Sequence, residues 1–247
     1  MKTKNVFLIV LVAISITGYS QMRFGVIAGL NIASLKGTYP SNITNKQKIG
    51  FHAGATAEYP LANPKLALAA QLLYSTQGSV TQRSQLSLDN GAYTYIDQET
   101  KVNFTEIDLP IMLRYYVLYN LSIEGGPQIG YVVKAEQKDE YTNSANPVRN
   151  YTTTLDPLKD GTYTEFGAAR PYKKSLETVD FGLNFGAVYD MSDRISLQAH
   201  YYFGLNTLQS IPNVSGYYSP SGGTGLYSTS SDYKNSVFQV SLGYKFN

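Results

Sequence analysis

The sequence predicts an all-β protein: an eight-stranded antiparallel transmembrane β-barrel with short periplasmic turns and long extracellular loops. Three observations carry that expectation. Apolar and polar residues alternate with a period of two in eight separate segments, the period at which a strand presents opposite faces. The connections between the segments alternate long and short, the asymmetry of outer-membrane barrels. The closing segment, NSVFQVSLGYKFN at 235–247, has the same character as the first segment after the leader, as two strands that pair to close a ring should.

The leader comes first. Lys2 and Lys4 form a positive n-region, residues 6–16 an apolar h-region, and Gly18 and Ser20 stand before a cut expected between Ser20 and Gln21. This divides the chain into a signal peptide, 1–20, and an outer-membrane β-barrel domain, 21–247. The apolar run is well short of the ~20 residues that a helical span needs, and no later run approaches that length. Strands must therefore do the crossing.

The first strand sets Phe24, Val26, Ala28, Leu30 and Ile32 against Arg23, Gly25, Ile27, Gly29 and Asn31. The second, Ile49 to Tyr59, alternates Phe51, Ala53, Ala55 and Ala57 with His52, Gly54, Thr56 and Glu58, and Pro60 and Pro64 end it. The third has Leu66, Leu68, Ala70, Leu72 and Tyr74 on its outer face. A polar stretch from Gln77 to Lys101 follows, whose Asp89, Asn90 and Gly91 signal a hairpin, so the third and fourth strands are expected to project beyond the bilayer.

The fourth and fifth strands make a hairpin around Leu118, Tyr119 and Asn120. Pairing Val117 with Leu121 puts Arg114 opposite Glu124 inside and Tyr115 opposite Ile123 outside, a register that a one-residue slip would destroy. Pro110 and Pro127, nearly opposite each other, predict a bulge or local distortion there. Glu136 to Ser175 reads as a long polar loop. The sixth strand runs through Val179, Phe181, Leu183, Phe185, Ala187 and Tyr189, and the seventh through Ile195, Leu197, Ala199, Tyr201, Phe203 and Leu205. Leu208 to Lys234 is the last long loop before the closing strand. Tyr59, Tyr115, Tyr119, Tyr189, Tyr244 and Phe246 would form the periplasmic girdle, and Tyr74, Tyr131, Tyr201 and Phe203 lie nearer the other rim.

Composition agrees with this reading. The formal net charge is +2, but without Lys2 and Lys4 the mature chain has 18 basic against 18 acidic residues, so no basic surface points to nucleic acid. The absence of cysteine excludes disulfides, a lipid-anchored Cys and Cys-type zinc sites. A mean hydropathy of -0.20 beside 22 Tyr and 10 Phe fits aromatic girdles around a polar lumen.

The inner faces carry Arg23, Arg114, Lys134, His200 and Lys245 beside Glu58, Glu106, Asp108, Glu124 and Asp180. Eight strands enclose an interior just wide enough for side chains, and unpaired charges there are costly, so these residues are expected to form a structural ion-pair network that plugs the lumen. His52 and His200 are the only histidines. Asp180 and Ser196 could partner His200 in a hydrolase, but no motif supports one, and no spacing suggests a metal site. The inward glycines make room for facing side chains; Tyr202 is expected opposite Gly182. Catalytic, cofactor and metal residues are thus expected to be absent.

The stretches RFGVIAGLN, GFHAGATAEY, LAAQLLYSTQG, EIDLPIMLRYYV, LSIEGGPQIGYVV, DFGLNFGAVYD and ISLQAHYYFGLN, with the leader and the closing strand, together resemble the PorT-like outer-membrane β-barrel family of Bacteroidota. The resemblance covers all eight strands and none of the loops. Where relatives commonly carry Arg in the seventh strand, this chain has His200. The family implies an outer-membrane barrel and no single activity; its name-giving member is linked to protein secretion.

The expectation is a non-enzymatic barrel, monomeric in the lipid of a Gram-negative outer membrane. It would meet a protein or glycan partner through its extracellular loops, with no cofactor and no nucleic acid. A small-solute channel is the alternative, and a membrane-lipid enzyme a more distant one.

Overall fold

The computed structural model describes residues 22–39, 42–89, 92–144, 147, 150–165, 168–218 and 224–246. The leader and its cleavage site lie outside these residues, as do Asn90 and Gly91 of the expected turn. The strands are β1 (Arg23–Lys36), β2 (Ile43–Pro60), β3 (Leu66–Asp89), β4 (Ala92–Leu118), β5 (Leu121–Asn143), β6 (Tyr151–Leu155), β7 (Gly161–Glu165), β8 (Ala168–Tyr172), β9 (Val179–Asp190), β10 (Ile195–Gly204), β11 (Gln209–Tyr218) and β12 (Thr224–Lys245).

Eight of them close a ring. The order is β1-β2-β3-β4-β5-β9-β10-β12, every pair antiparallel, and β12 returns to β1 in a continuous register from Gly25↔Lys245 to Lys36↔Lys234. Closure removes the free edges that an open sheet would expose. The burial pattern is that of a water-soluble protein turned inside out. Leu30, Phe51, Leu72, Ile123, Phe185 and Leu242 face outward, more than half exposed, while Asn31, Gln71, Ser75, Glu106, Asp108 and Gln128 on the inner face are buried. An apolar exterior of this kind is matched to hydrocarbon. The expected girdle residues, from Tyr59, Tyr115 and Tyr189 at one rim to Tyr74 and Tyr131 toward the other, all lie on this outer face.

Of the three long polar stretches, two depart from expectation. From Leu73↔Asp108 outward β3 and β4 pair without interruption to Asp89↔Ala92, as the projecting hairpin requires. Glu136 to Ser175 is not simply a loop: β5 continues to Asn143, β6 pairs back onto it, and β7 and β8 form a small hairpin of their own. Likewise β11 pairs with the first half of β12 within the stretch read as the last loop. Thr and Tyr favour strands as strongly as aliphatic residues do, but a sheet wetted on both faces shows no apolar alternation. The period-two signal is therefore lost where the strands leave the membrane.

The β4–β5 register is the expected one, with Arg114↔Glu124 and Tyr115↔Ile123. Its turn is tighter than expected, because Leu118 pairs with Leu121 and Val117 is left as a bulge. The prolines do not shift the register, which is the same at Pro110↔Gln128 and at Leu113↔Gly125. The distortion lies higher, where Thr105 pairs with Lys134 and Glu106 with Val132, so that Val133 is an extra residue on β5. Tyr202 pairs with Asn184 and not with Gly182, although its ring does occupy the space over Gly182, where a Cβ would come within 2.7 Å of Tyr202 Cε2.

Candidate functional site

The lower lumen is held by one arginine. Arg114 Nε donates to Glu124 Oε2 at 2.5 Å, and its Nη1 donates to Glu58. Glu58 also accepts from Arg23 at 3.0 Å and from the Tyr116 hydroxyl at 2.6 Å, while the second oxygen of Glu124 lies 2.6 Å from His200 Nε2. The ladder explains the grouping: Arg114, Glu124, Gly186 and His200 stand side by side across β4, β5, β9 and β10. Gly186 is the space into which the imidazole leans, since a Cβ there would lie 2.1 Å from His200 Cδ2. Lys245 pairs at the periplasmic rim with Asp190, at 2.7 Å.

Above this layer His52 bonds through Nδ1 to Asn31 Oδ1 and through Nε2 to Ser241 Oγ, each at 2.7 Å. Ser, His and Asn in that order are the elements of a nucleophile, a base and an orienting group. All three are fully enclosed, at 2%, 1% and 0% exposure, so no substrate carbonyl reaches Ser241. They act as lumen packing. His200, the other candidate base, is committed to Glu124, and Ser196 accepts from Gln198 at 3.0 Å.

Glu106, Asp108 and Asp180 depart from the expected network. They meet around Gly130, where a Cβ would lie 2.9 Å from Asp108 Oδ1 and 3.4 Å from both Glu106 Cδ and Asp180 Cβ. Gln77 donates to Asp108 at 3.3 Å and Asn235 to Asp180 at 2.7 Å, but no described cation reaches them, and both Glu106 oxygens lack a hydrogen-bond partner. The reason is the Val133 bulge. It reverses the parity of β5, so that Lys134, expected inside, is exposed and Ala135 takes the inner face. With Arg23 and Lys245 at the rim, Arg114 is the cation left for the interior. Among the described residues no group of three His, Asp or Glu is arranged to hold a metal ion.

An apolar stopper closes the lumen toward the outside. Leu35, Val102, Phe104, Val132, Ala135 and Tyr233 from the wall meet Leu176 and Leu208 from the connections, with Tyr39 and Leu158 packed against them. Below, a cavity between Gly25, Thr56, Arg114 and Gln198 measures about 20 Å³, little more than one water needs. A wider basin of about 650 Å³ opens at the periplasmic rim among Arg23, Tyr116, Asp190 and Lys245.

Beyond the stopper the strands continue as a polar sheet. On its outer face Lys138 and Lys101 bind Glu140 at 2.6 and 3.8 Å, and Lys101 also pairs with Glu99. Near the β7–β8 hairpin, Asp160 takes the Lys173 ammonium at 2.7 Å and the Lys174 amide at 2.8 Å, which hold its carboxyl below the usual aspartate range. On the inner face a concavity of about 370 Å³ is walled chiefly by β3, β4, β5 and β6, with Ile43 of β2 and Tyr163 of β7 also lining it.

A family model described as an outer membrane protein beta-barrel domain matches residues 17–210. The chain belongs to that family. No curated protein matches it. Among solved structures it is similar in fold to Ail, the attachment invasion locus protein of Yersinia pestis, at 12% identity over 92% of this chain and 99% of that one, with a TM-score of 0.39. Neisserial surface protein A matches at 12% identity over 90% and 97%, TM-score 0.31, and the outer membrane protease OmpT of Escherichia coli at 9% over 91% and 95%, TM-score 0.34. Likenesses of this strength do not bear on activity.

Family membership and the closed ring place the chain in the outer membrane. What sequence reasoning missed is the stopper and the concavity. Single apolar residues such as Leu158, Leu176 and Leu208, isolated in polar stretches, were the available signal for the stopper. The concavity left a weaker one, the Tyr-Thr pairs at 141–142 and 151–152 on either side of an Asn- and Pro-containing break.

Proposed function

We propose that this outer-membrane barrel is a non-enzymatic surface or scaffold protein that meets its partner through the extracellular extension, chiefly within 136–175 and 208–234. One contrast supports the reading: the lumen is filled and capped by Leu35, Phe104, Leu176, Leu208 and Tyr233, whereas the sheet above it offers a formed, polar, concave surface. Eight strands leave no room for both the enclosed side chains and an aqueous path. Ordered surface on a rigid scaffold is where binding is commonly carried.

In this reading residues 1–20 are a cleaved signal peptide and 21–247 a monomeric barrel set in outer-membrane lipid. It uses no cofactor and no nucleic acid, and its extracellular partner is a protein or a glycan. Kinship with the PorT-like barrels of Bacteroidota, resting on the strand motifs, would give it an envelope or secretion-related setting. The test has two arms. The purified barrel should conduct negligibly in a planar bilayer. Replacing 136–175 and 210–232 with short Gly-Ser linkers, which spares the stopper residues Ala135, Leu176, Leu208 and Tyr233, should leave a heat-modifiable barrel that no longer captures partners by surface crosslinking. Porin-like conductance, or undiminished capture by the trimmed barrel, would put the small-solute channel in its place.

A further inference from the structure

The concavity above the stopper is built from two neighbouring cross-strand rows. Register places Arg83, Gln98, Tyr141 and Tyr151 in one line across β3, β4, β5 and β6, and Thr81, Thr100, Asp139 and Thr153 in the next. Paired residues share a face, so both rows project into the same space of about 370 Å³, within the range of small-molecule sites.

The chemistry of the rows is specific. Tyr141 and Tyr151 stack at a centroid distance of 5.2 Å and 13° between planes, giving a rigid aromatic wall. Asp139 is oriented before any ligand arrives: Thr100 Oγ1 donates to one of its oxygens at 2.6 Å and Gln137 Nε2 to the other at 2.9 Å, and each oxygen keeps further acceptor capacity. Next to it Thr153, which lines the concavity, is 6% exposed, and its buried Oγ1 has no hydrogen-bond partner. Gln98 adds an amide that both donates and accepts, and Arg83 a planar fork of donors.

We infer that this concavity is a binding site for an uncharged saccharide unit. A pyranose has C–H faces that lie on a tyrosine ring and vicinal hydroxyls that donate and accept together, which a carboxylate, an amide and a guanidinium in one row can meet in pairs. Arg83 and Asp139 balance each other, and Glu140 at the edge is already held by Lys101 and Lys138, so no net charge selects an ionic ligand. The stopper supplies the floor: Val102 lies on the next row, opposite Gln137, so a bound sugar would rest above the lumen and not pass through it. This site deepens the surface-protein reading and rests on it, by naming the ligand class at one place in the extension.

Saturation-transfer NMR on the full barrel in lauryldimethylamine oxide micelles, which carry no sugar, tests it with maltotriose, cellotriose and mannotriose as probes. At least one should receive transfer. Tyr141→Ala and Asp139→Asn should each weaken that binding tenfold or more, whereas Lys138→Ala, on the opposite face, should leave it within twofold. Heat-modifiability confirms that each variant is folded, and Gln98→Ala provides a further variant if either fails. Absence of transfer from all three probes, or transfer unchanged in Tyr141→Ala and Asp139→Asn, overturns the saccharide site. Partner capture that survives in those two variants but is lost in the trimmed barrel would leave the surface-protein reading standing without it.

Discussion

Arg114 is the interaction on which the lower lumen depends, and its removal has a magnitude that follows from its surroundings. Arg114→Met strips the main counter-charge from Glu58 and Glu124 at once. Glu58 retains Arg23, whose side chain is half exposed and so screened by solvent; Glu124 retains His200. About one carboxylate charge is left buried without compensation, a cost of ~3 to 5 kcal/mol. Glu124→Gln keeps the shape and a hydrogen-bonding amide while Arg114 keeps Glu58, so it should cost only ~1 to 2 kcal/mol. The double variant removes the stranded charge together with its partner and should fall short of the sum by ~1 to 3 kcal/mol. With no Trp in the chain, equilibrium unfolding in urea is best followed as the heat-modifiable fraction on gels. Additivity within ~0.5 kcal/mol would refute the pairing that the register imposes.

Two further outcomes are expected. Gly54→Ala should severely impair assembly, because its Cβ would lie 1.9 Å from the Leu72 carbonyl oxygen, backbone that cannot move aside, whereas Gly125→Ala meets only the lipid-facing Phe185 ring at 2.8 Å and should cost less than about 1 kcal/mol; equal folding yields of the two variants would contradict this. The contact of Asp160 with Lys173 and Lys174 contributes fully above the ordinary aspartate value of ~3.9 and is lost as pH falls through the lower folded value. The Lys174 amide resonance should therefore titrate with a midpoint below that value, and a midpoint at or above it would show that the contact does not form.

The ring was legible because lipid enforces the alternation: Phe24 to Ile32, Ile107 to Val117 and Phe238 to Phe246 each had to keep one face apolar, and a slip of one residue would bury it in the lumen. Arg114 opposite Glu124 followed from the same constraint. Lys134 did not, because a bulge is a local event that adds a residue without changing composition, and Val133 carries no mark of it. The extracellular strands were hidden for a different reason. Outside the membrane both faces of 136–165 carry Thr, Tyr, Lys and Glu, so no apolar alternation marks them, and only backbone pairing shows that they form a sheet.

The uninterrupted β3–β4 hairpin also sets a height. From Tyr74, at the outer edge of the lipid-facing surface, to Asp89 at the tip, β3 runs about fifteen further residues. At ~3.3 Å per residue and a tilt near 40°, that is a rise of roughly 38 Å, several times the depth of one headgroup layer. The protein thus stands out from the bilayer as a tower, and a large molecule approaching the cell touches its upper courses well before it touches lipid. Because those courses are already ordered sheet, contact there need not freeze a mobile chain, and the entropy that a flexible loop would surrender on capture has been lost beforehand, during folding.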